Sequence, residues 1–464
     1  MKARSVTVIG GGLAGIAAAL RCAKDGAAVT LLESRGRLGG AAYSFDRDGL
    51  RMDNGQHVFL RCCVAYRGLL RDIGAEDLVT LQPRLRITVL APGGRRAVLA
   101  RGRLPAPLHL AGALLRYQFV SLRERVSVAR AMQALRAVDP DDPATDARSF
   151  GDWLVEHGQD ADTLDAVWDL IARPTLNLAP ADASLAQAAQ VFQVGLLGNA
   201  AAGDVGHAVV PLSDIHDVAA RRALAASGVD IRLHLGATAV VPTESGFLVE
   251  TRGGAAVESQ FVILAVPPTR AARLLPTATP GSGPGPARPG PEATRTGVDA
   301  AALGSSPIVN LHVVYDRQVL DVPFAAGVHS PVQWVFDRTA SGGLRDGQYI
   351  AVSLSAADAE LGETAAQLRQ RYLPALAELL PDARAATVEV FRVTREHAAT
   401  FRAAPGAKAL RPGPGTRFPG LFLAGTWTDT GWPATMEGAV LSGYAAAHQI
   451  LTATTTRQPA LSTR

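Results

Sequence analysis

Cysteine is almost absent. Cys22, Cys62 and Cys63 are the three in 464 residues, and an odd count without CxxC spacing excludes a disulfide framework and a cysteine-based zinc site. A reducing compartment and no metal centre are therefore expected. Lysine is as scarce: Lys2, Lys24 and Lys408 are the only ones, so the net charge of +4 comes from scattered arginine. With no dense basic block and no basic strip interleaved with aromatics, a nucleic-acid surface is excluded. No uncharged apolar run reaches the length of a membrane span, and "MKARSVTVIGGGLAG" enters a glycine motif without the apolar region of a secretory leader. A cytoplasmic protein is expected, with room for a peripheral contact on the inner face of the cell membrane.

What is present suffices for a core: 48% of the residues are hydrophobic and 19% charged, in a chain too long for one ordinary compact domain. "SVTVIGGGLAGIAAALRCAKDGAAVTLLES" reads as strand, glycine turn, helix and strand, with Val6, Val8 and Ile9 apolar and Gly26 placed to end the helix. Residues 229–268 read as short strands with glycine turns, closed by Pro267-Pro268, and "GLFLAG" (420–425) as one more apolar strand. Between these blocks, 104–138 and 149–200 carry helical patterns, 307–355 strand patterns, and 359–380 a helix. The Pro/Gly-rich stretch 276–299 has almost nothing to bury and is expected to be a disordered surface insertion.

Gly10, Gly12 and Gly15 form G-x-G-x-x-G between a strand and a helix. The first permits a tight turn, the second lets backbone approach a pyrophosphate, and the third allows close helix–strand packing. Leu13 and Ala14 fall inside the same turn. Glu33 ends the next strand, where a carboxylate can accept ribose hydroxyls. This fingerprint alone does not separate nicotinamide from flavin.

The following residues help. Glu33, Arg37, Gly39 and Gly40 spell E-x-x-x-R-x-G-G, which resembles the second motif of the flavin-dependent amine oxidase and phytoene desaturase superfamily, and Gly438 to Gly443 resemble its closing G-A-x-x-S-G. "DNGQHVFL" (53–60), "LIARPTLNLAP" (170–180), "PVQWVFDRT" (331–339) and "AGTWTDTGWPATMEGAV" (424–440) are similar to the hydroxysqualene dehydroxylase group within it. The resemblance covers nearly the whole chain. It implies an α/β flavoprotein with a Rossmann-like FAD-binding domain, assembled from 1–75, 205–275 and 415–455, and a mixed α/β substrate domain inserted as 76–204 and 300–414. It implies bound FAD, held also by Ser34, Gly55, Val240, Gly425, Thr426, Thr435, Met436 and Glu437, with backbone around 435–437 facing the isoalloxazine. Thr426 departs from the acidic residue usual there, which removes one charged contact. The lysine and aromatic residue common in amine oxidases are missing, Thr435 standing before Met436.

The reaction so implied is reduction of hydroxysqualene, a long-chain isoprenoid, to squalene with loss of water; the electron donor stays unidentified. Phytoene-type desaturation and a non-catalytic FAD-containing isoprenoid-binding protein are the alternatives. Reductive dehydroxylation needs a proton donor at the leaving oxygen, and the candidates are Asp429, His57 and Asp53. Asp429 could equally cap a helix and His57 equally be satisfied by backbone. Asn177 could bind the substrate hydroxyl or cap a helix, and Trp334, Trp427 and Trp432 could wall the reaction chamber or fill a core. The adjacent Cys62 and Cys63 are expected to be a buried pair without a redox role. The 104–138 segment suits a partly lipid-facing entrance or an amphipathic helix packed on its own domain.

Overall fold

In the computed structural model, which describes residues 4–276 and 299–453, the strand Ser5–Ile9 lies in the middle of a five-stranded parallel sheet. Across it the order is Asp230–Arg232, Ala28–Leu32, Ser5–Ile9, Phe261–Leu264 and Leu421–Leu423. Because successive side chains point to opposite faces, each inner strand feeds two cores. Val8, Leu31, Ile263 and Phe422 join one cluster, while Ile9, Leu32, Val262 and Leu264 join the other. That double burial is why these strands read as continuous apolar runs. The Pro/Gly-rich stretch falls outside the described residues over 277–298.

The helix Leu13–Lys24 follows the first strand and ends where Gly26 takes φ +83° and its N–H bonds the Ala23 carbonyl at 2.9 Å. It packs along the closing helix Met436–Ala453. A Cβ on Gly443 would lie 2.2 Å from the Ala14 carbonyl oxygen, so glycine there lets the two helices touch. The 229–268 block forms Asp230–Arg232, an antiparallel trio of Ala237–Pro242, Phe247–Thr251 and Ala256–Ser259, and then Phe261–Leu264.

A seven-stranded sheet forms the second layer, ordered Val388–Thr400, Ser306–Tyr315, Gln348–Ser355, Trp334–Asp337, Phe324–Gly327, Arg86–Ala91 and Arg95–Ala100. The expected 104–138 helix is broken. A 3₁₀ turn, Leu108–Leu110, leads into Ala111–Arg116. Tyr117 is then extended, and a new helix, Leu122–Leu135, starts at a capping box in which Ser121 accepts from the Glu124 amide. Residues 149–200 likewise divide into short helices interrupted by the π-helical turns Leu164–Trp168 and Gln193–Leu197.

Candidate active site

A cavity of about 1190 Å³ runs along the carboxyl ends of the parallel strands, touching Ile9, Glu33, Ala265 and Gly425, and continues across to the seven-stranded sheet. Strand carboxyl ends are where open α/β sheets bind ligands. The volume exceeds the roughly 300–1,000 Å³ of a pocket for one small ligand.

At one end the backbone forms an anion cradle. Gly10 has φ +108°, and a Cβ there would lie 2.3 Å from the Ala265 carbonyl oxygen. Gly12 caps the Leu13–Lys24 helix without a side-chain bond, and the first turn holds no acid, so its N–H groups and positive dipole end face the cavity beside Leu13 and Ala14. A Cβ on Gly12 would meet nothing nearer than the Gly40 Cα at 3.7 Å, leaving open space where a pyrophosphate fits. Gly15 does not line the cavity. Its Cβ position lies 1.9 Å from the Gly10 carbonyl oxygen, which makes it a packing glycine.

Glu33 is buried beside this turn. One carboxylate oxygen accepts the Gly11 N–H at 2.7 Å, and the other accepts the Ser34 hydroxyl at 3.0 Å and the Arg35 N–H at 2.8 Å. The glutamate is thereby aimed into the cavity, where Ser34, Arg37, Gly39 and Gly40 also stand. Arg37 binds the Leu38 and Gly40 carbonyls and stacks over the Tyr43 ring at 3.4 Å. These features fit the phosphates and ribose of FAD. Val240 does not belong to the set: it is buried in an apolar cluster away from the cavity, and Gly236 and Ala237, at the start of its strand, do the lining.

Gly425, Thr426, Thr435, Met436 and Glu437 meet the cavity where the last helix begins. Thr435 Oγ1 accepts the Gly438 N–H at 3.1 Å, which caps that helix with its positive end toward the cavity. Gly425, at φ +139°, leaves room for the Trp427 indole, whose Nε1 donates to the Val266 carbonyl at 2.9 Å. The Thr426 and Thr428 carbonyls accept from the buried Arg411, at 3.1 and 2.7 Å. The Glu437 side chain acts as a brace, its oxygens accepting the Ala65 and Tyr66 N–H groups at 2.9 and 2.7 Å at the start of the helix Val64–Asp72. Burial raises its pKa, and those amides partly offset the rise.

Two proposed acids are misplaced. Asp53 is buried in an ion pair with Arg338 at 2.6 Å and also accepts the Ser44 hydroxyl and the Leu212 N–H, so its oxygens are occupied away from the main cavity. Asp429 is exposed outside the cavity and holds its own turn by accepting the Gly431 N–H at 3.1 Å. His57 does line the cavity, with Gly55 beside it. Its Nδ1 lies 3.2 Å from the Gly55 carbonyl, which only a protonated Nδ1 can bond, and burial lowers its pKa. A neutral ring in that tautomer presents a bare Nε2 and cannot donate from it.

Asn177 borders the cavity with its side chain already committed. Its Nδ2 donates to the Ser306 carbonyl and to Thr400 Oγ1, both at 3.0 Å, and its Oδ1 accepts the Ala356 N–H at 2.7 Å. With φ +51° it terminates the helix Asp169–Leu176, so the capping alternative prevails. Trp334, Trp427 and Trp432 all line the cavity. So do Cys62 and Cys63; the hydrogen bond between their thiols lowers the pKa of Cys62 and raises that of Cys63.

Sequence reasoning missed Glu396, Tyr43 and Asn54 as cavity residues. Asn54 Nδ2 donates to the Ala41 carbonyl at 2.8 Å and to Glu396 Oε1 at 3.0 Å, while Tyr43 Oη approaches the same oxygen at 3.5 Å. Glu396 carries no motif; it lies in "VTREHAAT", where only strand alternation could have put it on the same face as Thr394. The cavity also has apolar walls, among them Leu110, Leu114, Tyr117, Met132, Val167 and Leu196.

The model of the family described as flavin containing amine oxidoreductase matches residues 13–451. The hydroxysqualene dehydroxylase of Rhodopseudomonas palustris is 31% identical, over 97% of this chain and 99% of its own. That of Sinorhizobium fredii is 28% identical, over 98% and 100%. Among solved structures, putrescine oxidase bound to putrescine superposes with a TM-score of 0.70 at 20% identity, over 97% of this chain and 99% of that one, a likeness of fold.

Proposed function

From the premise that the chain belongs to the flavin containing amine oxidoreductase family, as an FAD-dependent oxidoreductase, we propose that it reduces hydroxysqualene to squalene with loss of water. The observation that carries the reading is that one cavity is lined by the dinucleotide cradle, by a small polar group and by many apolar side chains. That combination of surfaces suits a cofactor together with a hydrocarbon bearing one hydroxyl, whereas a substrate without oxygen gives the polar group nothing to bind. Two relatives similar along their full length, at 31% and 28% identity, carry this activity in their names.

FAD held by these residues would, once reduced, supply the hydride for the carbon that loses its hydroxyl. The protein's share is to place that carbon, keep water out and protonate the departing oxygen. Trp334, Trp427 and Trp432 line the same cavity, and aromatic faces can stabilise positive charge as the C–O bond lengthens. Anaerobic, photoreduced protein is expected to be reoxidised by hydroxysqualene with squalene as product. Reduction of the oxidised protein by squalene or phytoene would overturn the reading in favour of desaturation, and absence of any reaction would leave a binding protein.

The same proposal includes a peripheral contact with an anionic membrane. Leu104, Leu108, Leu115 and Leu122 are exposed together with Arg103, Arg116 and Arg123, while Leu110, Leu114 and Tyr117 of the same segment line the cavity. Apolar side chains interspersed with arginine suit the headgroup boundary of an anionic bilayer. No helix among the described residues is long and apolar enough to cross it.

A further inference from the structure

We infer that Glu396 is the proton donor to the departing hydroxyl, an assignment that rests on the proposed reaction. Three carboxylates line the cavity among the described residues: Glu33, Glu396 and Glu437. Glu33 stands in the dinucleotide cradle with one oxygen accepting the Gly11 N–H and the other the Arg35 N–H, and each oxygen of Glu437 accepts a backbone N–H. Glu396 differs. Asn54 Nδ2 and Tyr43 Oη both go to Oε1, and neither reaches Oε2.

Its setting is built rather than incidental. Glu396 faces Ile308 across the Val388–Thr400 and Ser306–Tyr315 strands, and Ile308 faces Ser355 on the other side, so Glu396, Ile308 and Ser355 form one row of the sheet floor. All three line the cavity. The polarity of the Asn54 amide is fixed, because Oδ1 accepts the Tyr43 N–H at 3.0 Å and Nδ2 donates to the Ala41 carbonyl. Asn310 Nδ2 in turn donates to the Asn54 carbonyl at 3.0 Å, tying the loop to the same sheet. Asn54 therefore presents N–H to Oε1, which serves as the acceptor oxygen of the acid and leaves the proton on Oε2.

The step then balances. The Oε2 proton passes to the substrate oxygen as the C–O bond breaks and water leaves, and the carbon gains the hydride with its electron pair. Glu396 remains as a carboxylate, stabilised by the Asn54 N–H and the Tyr43 hydroxyl, and takes a proton from solvent before the next turnover. Glutamine at this position keeps the acceptor for Asn54 and removes the acid.

The test uses full-length, FAD-loaded protein, photoreduced without oxygen and mixed with hydroxysqualene. Glu396→Gln is expected to keep the parent's FAD affinity and visible spectrum and to be reoxidised roughly 10²-fold or more slowly. Glu396→Asp should restore part of the rate. Reoxidation of Glu396→Gln at the parent's rate would overturn the assignment while leaving the reaction standing. Loss of FAD or of folding in both variants would mark the residue as structural and overturn it as well. A parent that hydroxysqualene does not reoxidise would remove the reaction and the donor together.

Discussion

Gly12 and Gly15 belong to one motif, yet the structure separates what they do, and a pair of substitutions exposes the difference. A Cβ on Gly12 meets only the Gly40 Cα at 3.7 Å, and the residue's φ of −74° suits any amino acid. Gly12→Val should therefore fold with the parent's apoprotein melting temperature while its side chain occupies the space in front of the helix amides. If two charge-assisted hydrogen bonds to the pyrophosphate are lost at about 1.5–3 kcal/mol each, FAD binding weakens by ~3–6 kcal/mol, roughly 10²- to 10⁴-fold. A Cβ on Gly15 would stand 1.9 Å from the Gly10 carbonyl oxygen, a clash that no rotamer relieves. Gly15→Ala must push the helix off the strand, which costs ~1–3 kcal/mol or more whether or not FAD is present. Thermal unfolding with and without FAD, together with FAD titration of the apoproteins, reads both effects. The parent should gain about 2.7 kcal/mol of stability at a hundredfold excess of FAD over Kd, and Gly12→Val should gain almost none. A Gly12→Val protein that binds FAD within a few-fold of the parent would refute the cradle, and one that fails to fold as apoprotein would refute the separation.

Three further outcomes follow from buried or exposed groups. His216, whose Nε2 lies 2.8 Å from the Tyr66 hydroxyl, has its pKa lowered from 6.5 to about 3 by burial. The unfolded chain therefore binds a proton that the folded protein refuses. Its contribution to stability is full above the unfolded value and falls at about 1.4 kcal/mol per pH unit on acidification toward the folded one; His216→Gln should flatten that slope in urea unfolding. Arg338→Leu leaves the Asp53 carboxylate buried without its partner and should destabilise by ~3–5 kcal/mol, visible as a lower denaturation midpoint. Leu108→Asp with Leu115→Asp should abolish co-sedimentation with phosphatidylglycerol vesicles while leaving the FAD spectrum intact; undiminished sedimentation would remove the membrane contact.

The parts of the fold legible in the sequence are those where chemistry is written locally. A strand buried on both faces must be an apolar run, and a turn against a pyrophosphate must be glycine; both signals lie within about thirty residues in a single βαβ unit. The acids were not legible in this way, because a carboxylate's role depends on which groups the fold brings to it. Asp53 sits in a distinctive motif, but its partner Arg338 comes from far along the chain and turns it into a brace. Asp429 stands between two threonines in the most conspicuous C-terminal stretch, and a bend leaves it facing solvent. Asn177 reads in the sequence as a ligand for the substrate hydroxyl or a helix cap; Ser306, Thr400 and Ala356, each from a distant segment, consume its bonding capacity. Glu396 is the converse case, a residue with no local signature that acquires a position because Asn54 reaches it across the cavity floor. Asp429→Asn tests this argument directly: an exposed carboxylate outside the cavity cannot protonate a substrate within it, so the variant should turn over hydroxysqualene at the parent's rate, and a loss of about 10²-fold would return the proton donor to the C-terminal stretch.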